Sequence, residues 1–261
     1  MHRIVAGVEY FGASYHGWQM QKHSDQTVQE QVEKALGLVA NKPVRIICAG
    51  RTDAGVHASE QVIHFDIDVD RTNRSWVYGA NSNLPKDICL LWAMQSSNDF
   101  HARFSALRRR YCYIIFNRNI RPTFNAYRTT WCHQILDENL MHEAAKHLIG
   151  SHDFSSYRAL GCQAKSPVRE IYHLSVARKG AYVLIDIEAN AFLHHMVRNI
   201  AGVLMDIGKG KQPPIWAKEV LQYRDRCLGG VTAAPFGLYL MNIRYPQKYG
   251  LPKLSPSLPI W

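Results

Sequence analysis

Ala49-Gly50-Arg51-Thr52-Asp53-Ala54-Gly55-Val56-His57-Ala58-Ser59 is a turn-rich stretch set between two strand-like runs. Val44-Arg45-Ile46-Ile47-Cys48 before it is apolar and β-branched, and Gln61-Val62-Ile63-His64-Phe65-Asp66-Ile67 after it alternates. Gly50 and Gly55 tolerate backbone angles that other residues resist, so the chain can bend sharply on either side of Asp53. Arg51 and Asp53 are two apart, and in extended chain they point to the same side. A cation beside a carboxylate favours its ionised form. An ionised carboxylate at a strand end suits a nucleophile or base at neutral pH. The same Thr-Asp-Ala-Gly run also makes an ordinary turn in which Asp53 bonds its own backbone, and the stretch alone leaves both readings open.

The chain has 261 residues, enough for one large domain or two small ones with a real core. Lys and Arg number 31 against 21 Asp and Glu, a formal net charge of +10. A surplus of that size favours a polyanionic partner. Six cysteines, at 48, 89, 112, 132, 162 and 227, include no Cys-x-x-Cys pair. Neither a zinc knuckle nor a disulfide scaffold is expected, and a reducing, cytoplasmic setting fits best. The first ten residues lack a signal-peptide core, and no run approaches a membrane helix in length.

Taken in order, Arg3–Tyr10 reads as a strand and Phe11–Thr27 as a loop. Thr27 is placed to cap a helix, with Glu30 three residues on, and Val28, Val32, Ala35, Leu36 and Val39 continue at helical spacing. The hairpin around Asp53 follows, then a helix over Ser75–Leu84 stopped by Pro85, then a strand over Ile88–Met94. This β-α-β-β-α-β order is that of a split βαβ, or ferredoxin-like, unit. The second half repeats the plan loosely. Strands are expected over Arg109–Phe116, Arg128–His133 and Leu238–Ile243, with a hairpin of Ile171–Ala177 and Tyr182–Ala189. Helices are expected over Asp137–Ile149, Leu193–Ile207 and Ile215–Gln222. The reading is therefore α+β, with two ferredoxin-like, RRM-like βαββαβ domains over 1–103 and 104–261 and a mostly antiparallel sheet.

Between His101 and Trp131 stand seven arginines (103, 108, 109, 110, 118, 121 and 128) and not one Asp, Glu or Lys. Phe104, Tyr111, Tyr113, Phe116, Phe124, Tyr127 and Trp131 are interleaved with them. Arginine offers a planar fork for phosphates, and aromatic faces accept unstacked bases. Such a basic, aromatic stripe is the footprint of RNA binding. Further on, Leu193, Met196, Val197, Ile200, Val203, Leu204 and Ile207 share one helical face, with Arg198 roughly opposite. His194-His195 invites a metal reading. Adjacent histidines diverge on a helix and no third ligand is suitably spaced, so no metal site is expected.

Gly50-Arg51-Thr52-Asp53-Ala54-Gly55-Val56-His57-Ala58 resembles, throughout its length, the signature loop of the tRNA pseudouridine synthase A (TruA) family. Tyr15-His16-Gly17-Trp18-Gln19, His101-Ala102-Arg103-Phe104-Ser105-Ala106, Arg109-Arg110-Tyr111 with Tyr113-Ile114, Asn190–Asn199 and Gly237-Leu238-Tyr239-Leu240 resemble further segments of that family, in order along nearly the whole chain. The resemblance implies two domains around a basic, sheet-lined cleft. It implies an isomerase that converts uridine to pseudouridine at positions 38, 39 and 40 of the tRNA anticodon stem-loop. No cofactor, nucleotide or metal is implied, and the family acts as a homodimer on tRNA. The implied roles are Asp53 as the group that opens the reaction, Arg51 filling the space of the flipped base, and Arg198 as the cation beside the aspartate. Tyr111 is implied to stack on the uracil and Leu238 to line the pocket. Arg103, Arg109 and Arg110 are the arginines expected to contact RNA phosphates.

Two other functions compete. A non-catalytic structured-RNA-binding protein would share the basic face and use Asp53 only as a turn residue. A nuclease would use Asp53 and histidines and would cleave the RNA chain, with a second carboxylate expected beside Asp53 for metal; the nearest acids, Glu60, Asp66 and Asp68, offer no obvious metal-site spacing. A small-molecule enzyme is disfavoured, since no Gly-rich phosphate loop is present.

Overall fold

A computed structural model describes residues 1–21 and 26–254. The part of the expected Phe11–Thr27 loop at 22–25 lies outside the described residues. The strands are β1 (His2–Tyr10), β2 (Ile47–Cys48), β3 (His57–Ile67), β4 (Ile88–Ser96), β5 (Arg108–Asn117), β6 (Thr130–Cys132), β7 (Gly150–Asp153), β8 (Val168–Lys179), β9 (Tyr182–Ala189) and β10 (Leu238–Arg244). The helices are α1 (Val28–Ala40), α2 (Asn73–Asn81), α3 (Glu138–Lys146), α4 (Met196–Gly208) and α5 (Trp216–Tyr223). Two compact units result. One is Met1–Leu107 together with the chain from Tyr239 onward, and the other is Arg108–Leu238. Tyr239 and Leu240 join the first unit by pairing with His57 and Ala58.

In the first unit β1 is central, antiparallel to β3 on one side and to β4 on the other. The outer edge of β3 is shared. β2 pairs with it antiparallel at Ile63 and His64, and β10 pairs with it parallel at His57 and Ala58. α1 begins as expected, with the Thr27 hydroxyl accepting from the Glu30 N–H at 3.4 Å. Val28, Val32, Ala35 and Leu36 are buried from it. α2 starts earlier than the apolar pattern suggested, because the Thr72 hydroxyl caps it by accepting from Ser75 N–H at 3.1 Å. The strand expected over Val44–Cys48 shortens to its last two residues. Glu33, on α1, takes the Ile46 N–H at 3.1 Å and the Arg45 guanidinium at 2.9 Å, so a carboxylate replaces a sheet partner there.

In the second unit the order is β7-β8-β9-β5, all antiparallel, with β6 parallel to β5. β7, Gly-Ser-His-Asp, was not foreseen: it has no apolar alternation, and it becomes a strand by pairing with β8. α4 begins at Met196 rather than Leu193, because His195 sits in the left-handed region at φ 60°. Once started, α4 is buried nearly all round, Asn199 and Gly202 included, so it is a core helix rather than a one-sided one. Both units are thus mixed α+β with mostly antiparallel sheets.

Candidate active site

The Asp53 loop leaves the first unit's sheet at the edge of β3, between the stretch paired to β2 and the stretch paired to β10. The hairpin register places Ile47 opposite His64 and Cys48 opposite Ile63, and Ala49 N–H still bonds Val62 C=O at 2.9 Å. One step further Gly50 meets Gln61, and here the backbone ladder stops. The Gln61 carboxamide takes over, donating to Gly50 C=O at 2.5 Å and accepting from Gly50 N–H at 3.3 Å. The next side chains alternate. Arg51 is exposed, Thr52 buried and Asp53 half-buried. Thr52 is tied inward by its hydroxyl to Tyr10 Oη at 2.7 Å and by its carbonyl to Trp18 N–H at 3.0 Å. Period two then turns Arg51 and Asp53 away from that anchor, together.

Beyond Asp53 the chain closes a turn, with Val56 N–H donating to Asp53 C=O at 3.2 Å and Gly55 at φ 78°. Gly12 lies against this turn so closely that a Cβ there would stand 1.9 Å from Val56 O. His57 locks the turn's far end. It is buried between Phe11 and Tyr239, with ring centroids 4.6 Å away on each side, and its Nδ1 accepts from Gly12 N–H at 2.9 Å. Trp18, the aromatic of the second resembling segment, is buried against Tyr10 at 5.7 Å. Arg103 is exposed, with its guanidinium 5.5 Å from the Phe104 ring centroid. Burial pushes the Cys48 thiol up to about 12, against the opposing pull of the Arg51 and Arg103 charges, so both guanidiniums act at the base of the loop.

The second unit holds the remaining candidates. Tyr111, on β5, is buried with its ring edge-to-face on Phe192 at 5.1 Å. Arg109 donates to Asn190 C=O at 2.8 Å. Arg110 makes a two-point pair with Asp186, at 2.8 and 2.5 Å, and Arg108 pairs with Glu188 at 3.0 Å while lying over the Tyr172 ring. The arginine run is therefore knitted to the acids of β9 rather than being a solvated edge.

Arg198 is not a freely solvated side chain either. It is half-buried, and its Nε donates to Ala233 C=O at 2.8 Å while Ala233 N–H returns a bond to Arg198 C=O at 3.1 Å. The neighbouring carbonyl, Ala234, accepts from the buried Tyr113 hydroxyl at 2.8 Å. Leu238 is buried. The divergence argued for His194 and His195 is corrected: neither lies in the helix, and their rings sit 4.0 Å apart.

The sequence reading passed over Gln61, Tyr10 and His57 as supports of the loop. Hairpin register was the available signal, since pairing Cys48 with Ile63 puts Gly50 opposite Gln61.

A family described as tRNA pseudouridine synthase matches residues 6–105 and 144–246, covering both the Asp53 loop and the Arg198 helix. The chain belongs to that family. It is also similar along its whole length to proteins named tRNA pseudouridine synthase A. The one from Nitrosococcus oceani is 56% identical over 99% of this chain and 100% of its own length. Those from Alcanivorax borkumensis and Pseudomonas aeruginosa are 52% and 55% identical, over 100% and 96% of this chain and 97% and 88% of their own lengths. As a pseudouridine synthase of the tRNA family, the chain is an isomerase of uridine. Among the described residues no helix is long and apolar enough to cross a membrane, and all six cysteines are free thiols.

Proposed function

We propose that this pseudouridine synthase acts in the cytoplasm on uridines 38, 39 and 40 of the tRNA anticodon stem-loop, as a homodimer and without a cofactor. The reading includes two ferredoxin-like domains, 1–103 and 104–261, with a basic cleft. The observation that carries it is a loop in which Thr52 is buried and anchored inward between an exposed Arg51 and a half-buried Asp53. A stacked uracil must be flipped out before chemistry, at a cost of a few kcal/mol. Arg51 fills the vacated space, Tyr111 stacks on the extruded ring and Leu238 lines the pocket. Arg103, Arg109 and Arg110 meet phosphates, so recognition is of shape and backbone more than of base edges.

Asp53 opens the reaction, with Arg198 as its cationic partner. Three openings are consistent with a carboxylate here: attack on the anomeric carbon, addition to the uracil ring, or removal of a ribose proton. Each ends alike. The bond from C1′ to N1 breaks, the uracil turns in place, and C1′ bonds to C5. C5 gives up its hydrogen as a proton and N1 takes one up, so product and substrate are isomers. Holding a detached base requires exclusion of bulk water.

The test uses tRNA transcript carrying tritium at uracil C5. Wild type is expected to release tritium to water with the RNA intact. Asp53→Ala is expected to bind the same tRNA and to lose release by at least about a thousandfold. Tight binding without release by wild type would instead identify a non-catalytic RNA-binding protein.

A further inference from the structure

The Gln61 side chain holds the first residue past the last backbone bond between β2 and β3. Its own backbone is committed to the other side of β3, where Gln61 pairs with Val8 of β1. Register places Gly50 directly opposite it on the β2 side. Were the ladder to run on, Gly50 would turn its N–H and C=O away from β3, and Arg51 and Asp53 would continue the strand. Instead the carboxamide reproduces both halves of a peptide. Its Nε2–H meets Gly50 C=O at 2.5 Å and its Oε1 meets Gly50 N–H at 3.3 Å. The Gln61 side chain is fully buried and Gly50 half-buried, so the carboxamide itself meets no solvent. Gly50 is thus held at side-chain reach from β3, and the chain departs from the sheet at a fixed point immediately before Arg51.

We propose that Gln61 is a positioning residue for the reacting carboxylate: its carboxamide clamps the Gly50 peptide and thereby sets where Arg51 and Asp53 stand. This rests on the reading of Asp53 as the group that opens the reaction. The Tyr10–Thr52 hydroxyl pair fixes the loop's rotation, and Gln61 fixes its point of origin. A reacting group displaced by about an ångström loses rate steeply, while the RNA-contacting surface elsewhere is untouched. Gln61 itself touches no substrate.

The test measures single-turnover tritium release from C5-labelled tRNA, tRNA affinity and thermal melting for wild type, Gln61→Glu and Gln61→Met. The Glu variant keeps the shape and an acceptor for Gly50 N–H, but as a carboxylate it has no donor for Gly50 C=O. The Met variant keeps the length and loses both bonds, and it decides the matter should a buried carboxylate prevent folding. Expected is a fall in the single-turnover rate constant of roughly 10- to 100-fold in both variants, with tRNA Kd within about twofold of wild type. A merely structural role would lower the melting temperature and leave the rate constant of the folded protein unchanged, and that result overturns the proposal. So does a loss confined to Kd. Absence of tritium release by wild type would defeat the assigned reaction itself, an outcome separate from either.

Discussion

Thr52 decides which way its two neighbours face. An extended chain leaves the two sides equivalent until one side chain is bound, and the buried hydroxyl pair with Tyr10 does this. His64 shows the same economy on the next strand. It is buried, and its Nδ1 accepts from Ala102 N–H at 3.1 Å, which holds the segment carrying Arg103. Burial first, then the neighbouring His101 and Arg3 charges, lowers its pKa from the usual 6.5 to about 4. The neutral ring is the one that can accept from Ala102, so geometry and titration agree. The unfolded chain binds a proton near 6.5 and the folded protein resists until about 4. Stability from this residue is therefore complete above about pH 6.5 and is lost progressively as pH falls towards 4, by on the order of 3 kcal/mol in all. Urea titrations of wild type and His64→Asn should show it. The Asn keeps an acceptor for Ala102 but does not titrate, so the wild-type curve is expected to fall by that additional amount between pH 7.5 and 4. Parallel curves would mean that His64 is already free to take up a proton in the folded state.

At the scale of elements, helix α4 illustrates what a sequence can and cannot reveal. Its apolar spacing was legible, as were α1, α5 and the β8–β9 hairpin, because periods of 3.6 and 2 are written directly in residue type. Its beginning was not, since His195 adopts a left-handed conformation that nothing local demands. Its nearly complete burial was not legible either. The far side of α4 is covered by the segment from Arg226 to Ala234, 27 or more residues away in sequence by the Arg226–Asn199 contact. Asn199 binds that segment through Arg226 at 3.0 Å and Thr232 at 2.6 Å, and it also donates to Tyr157 C=O at 2.7 Å. In the site, family resemblance pointed to Asp53, but the supports at Gln61, Tyr10 and His57 emerge only from register and packing. The closeness of the strap to α4 gives a sharp expectation. A Cβ at Gly202 would stand 1.8 Å from Val231 O, and Val231 is two residues from the Ala233 that binds Arg198. Gly202→Ala is expected to destabilise the protein by about 3 kcal/mol, read as a lowered urea midpoint, because backbone must shift to admit the methyl group. An unchanged midpoint would mean that the strap yields without cost.

Over the whole molecule the surplus of positive charge has to be weighed against how much of it is internally neutralised. The formal excess is +10, yet the arginines most conspicuous in sequence are partly committed: Arg108 to Glu188, Arg110 to Asp186, Arg178 to Glu138 and Arg3 to Asp66. Such pairs do not remove a guanidinium from service. Five N–H donors allow one edge to hold a carboxylate while another meets a phosphate, and pairing fixes the side chain in advance. Net charge, moreover, acts at a distance that pairing does not cancel. Binding to tRNA should therefore release counterions, and log Kd should rise linearly with log salt. With several phosphates contacted, affinity is expected to weaken by about a hundredfold or more between 50 and 200 mM monovalent salt. The single-turnover rate constant for bound tRNA should change far less over the same range, because isomerisation follows binding, after the counterions have left. Filter binding and tritium release measured across one salt series separate the two. A salt-independent Kd would show that shape and stacking, not phosphate neutralisation, carry the affinity. A rate constant falling in step with affinity would show that the charged face organises the reacting complex as well as attracting the RNA.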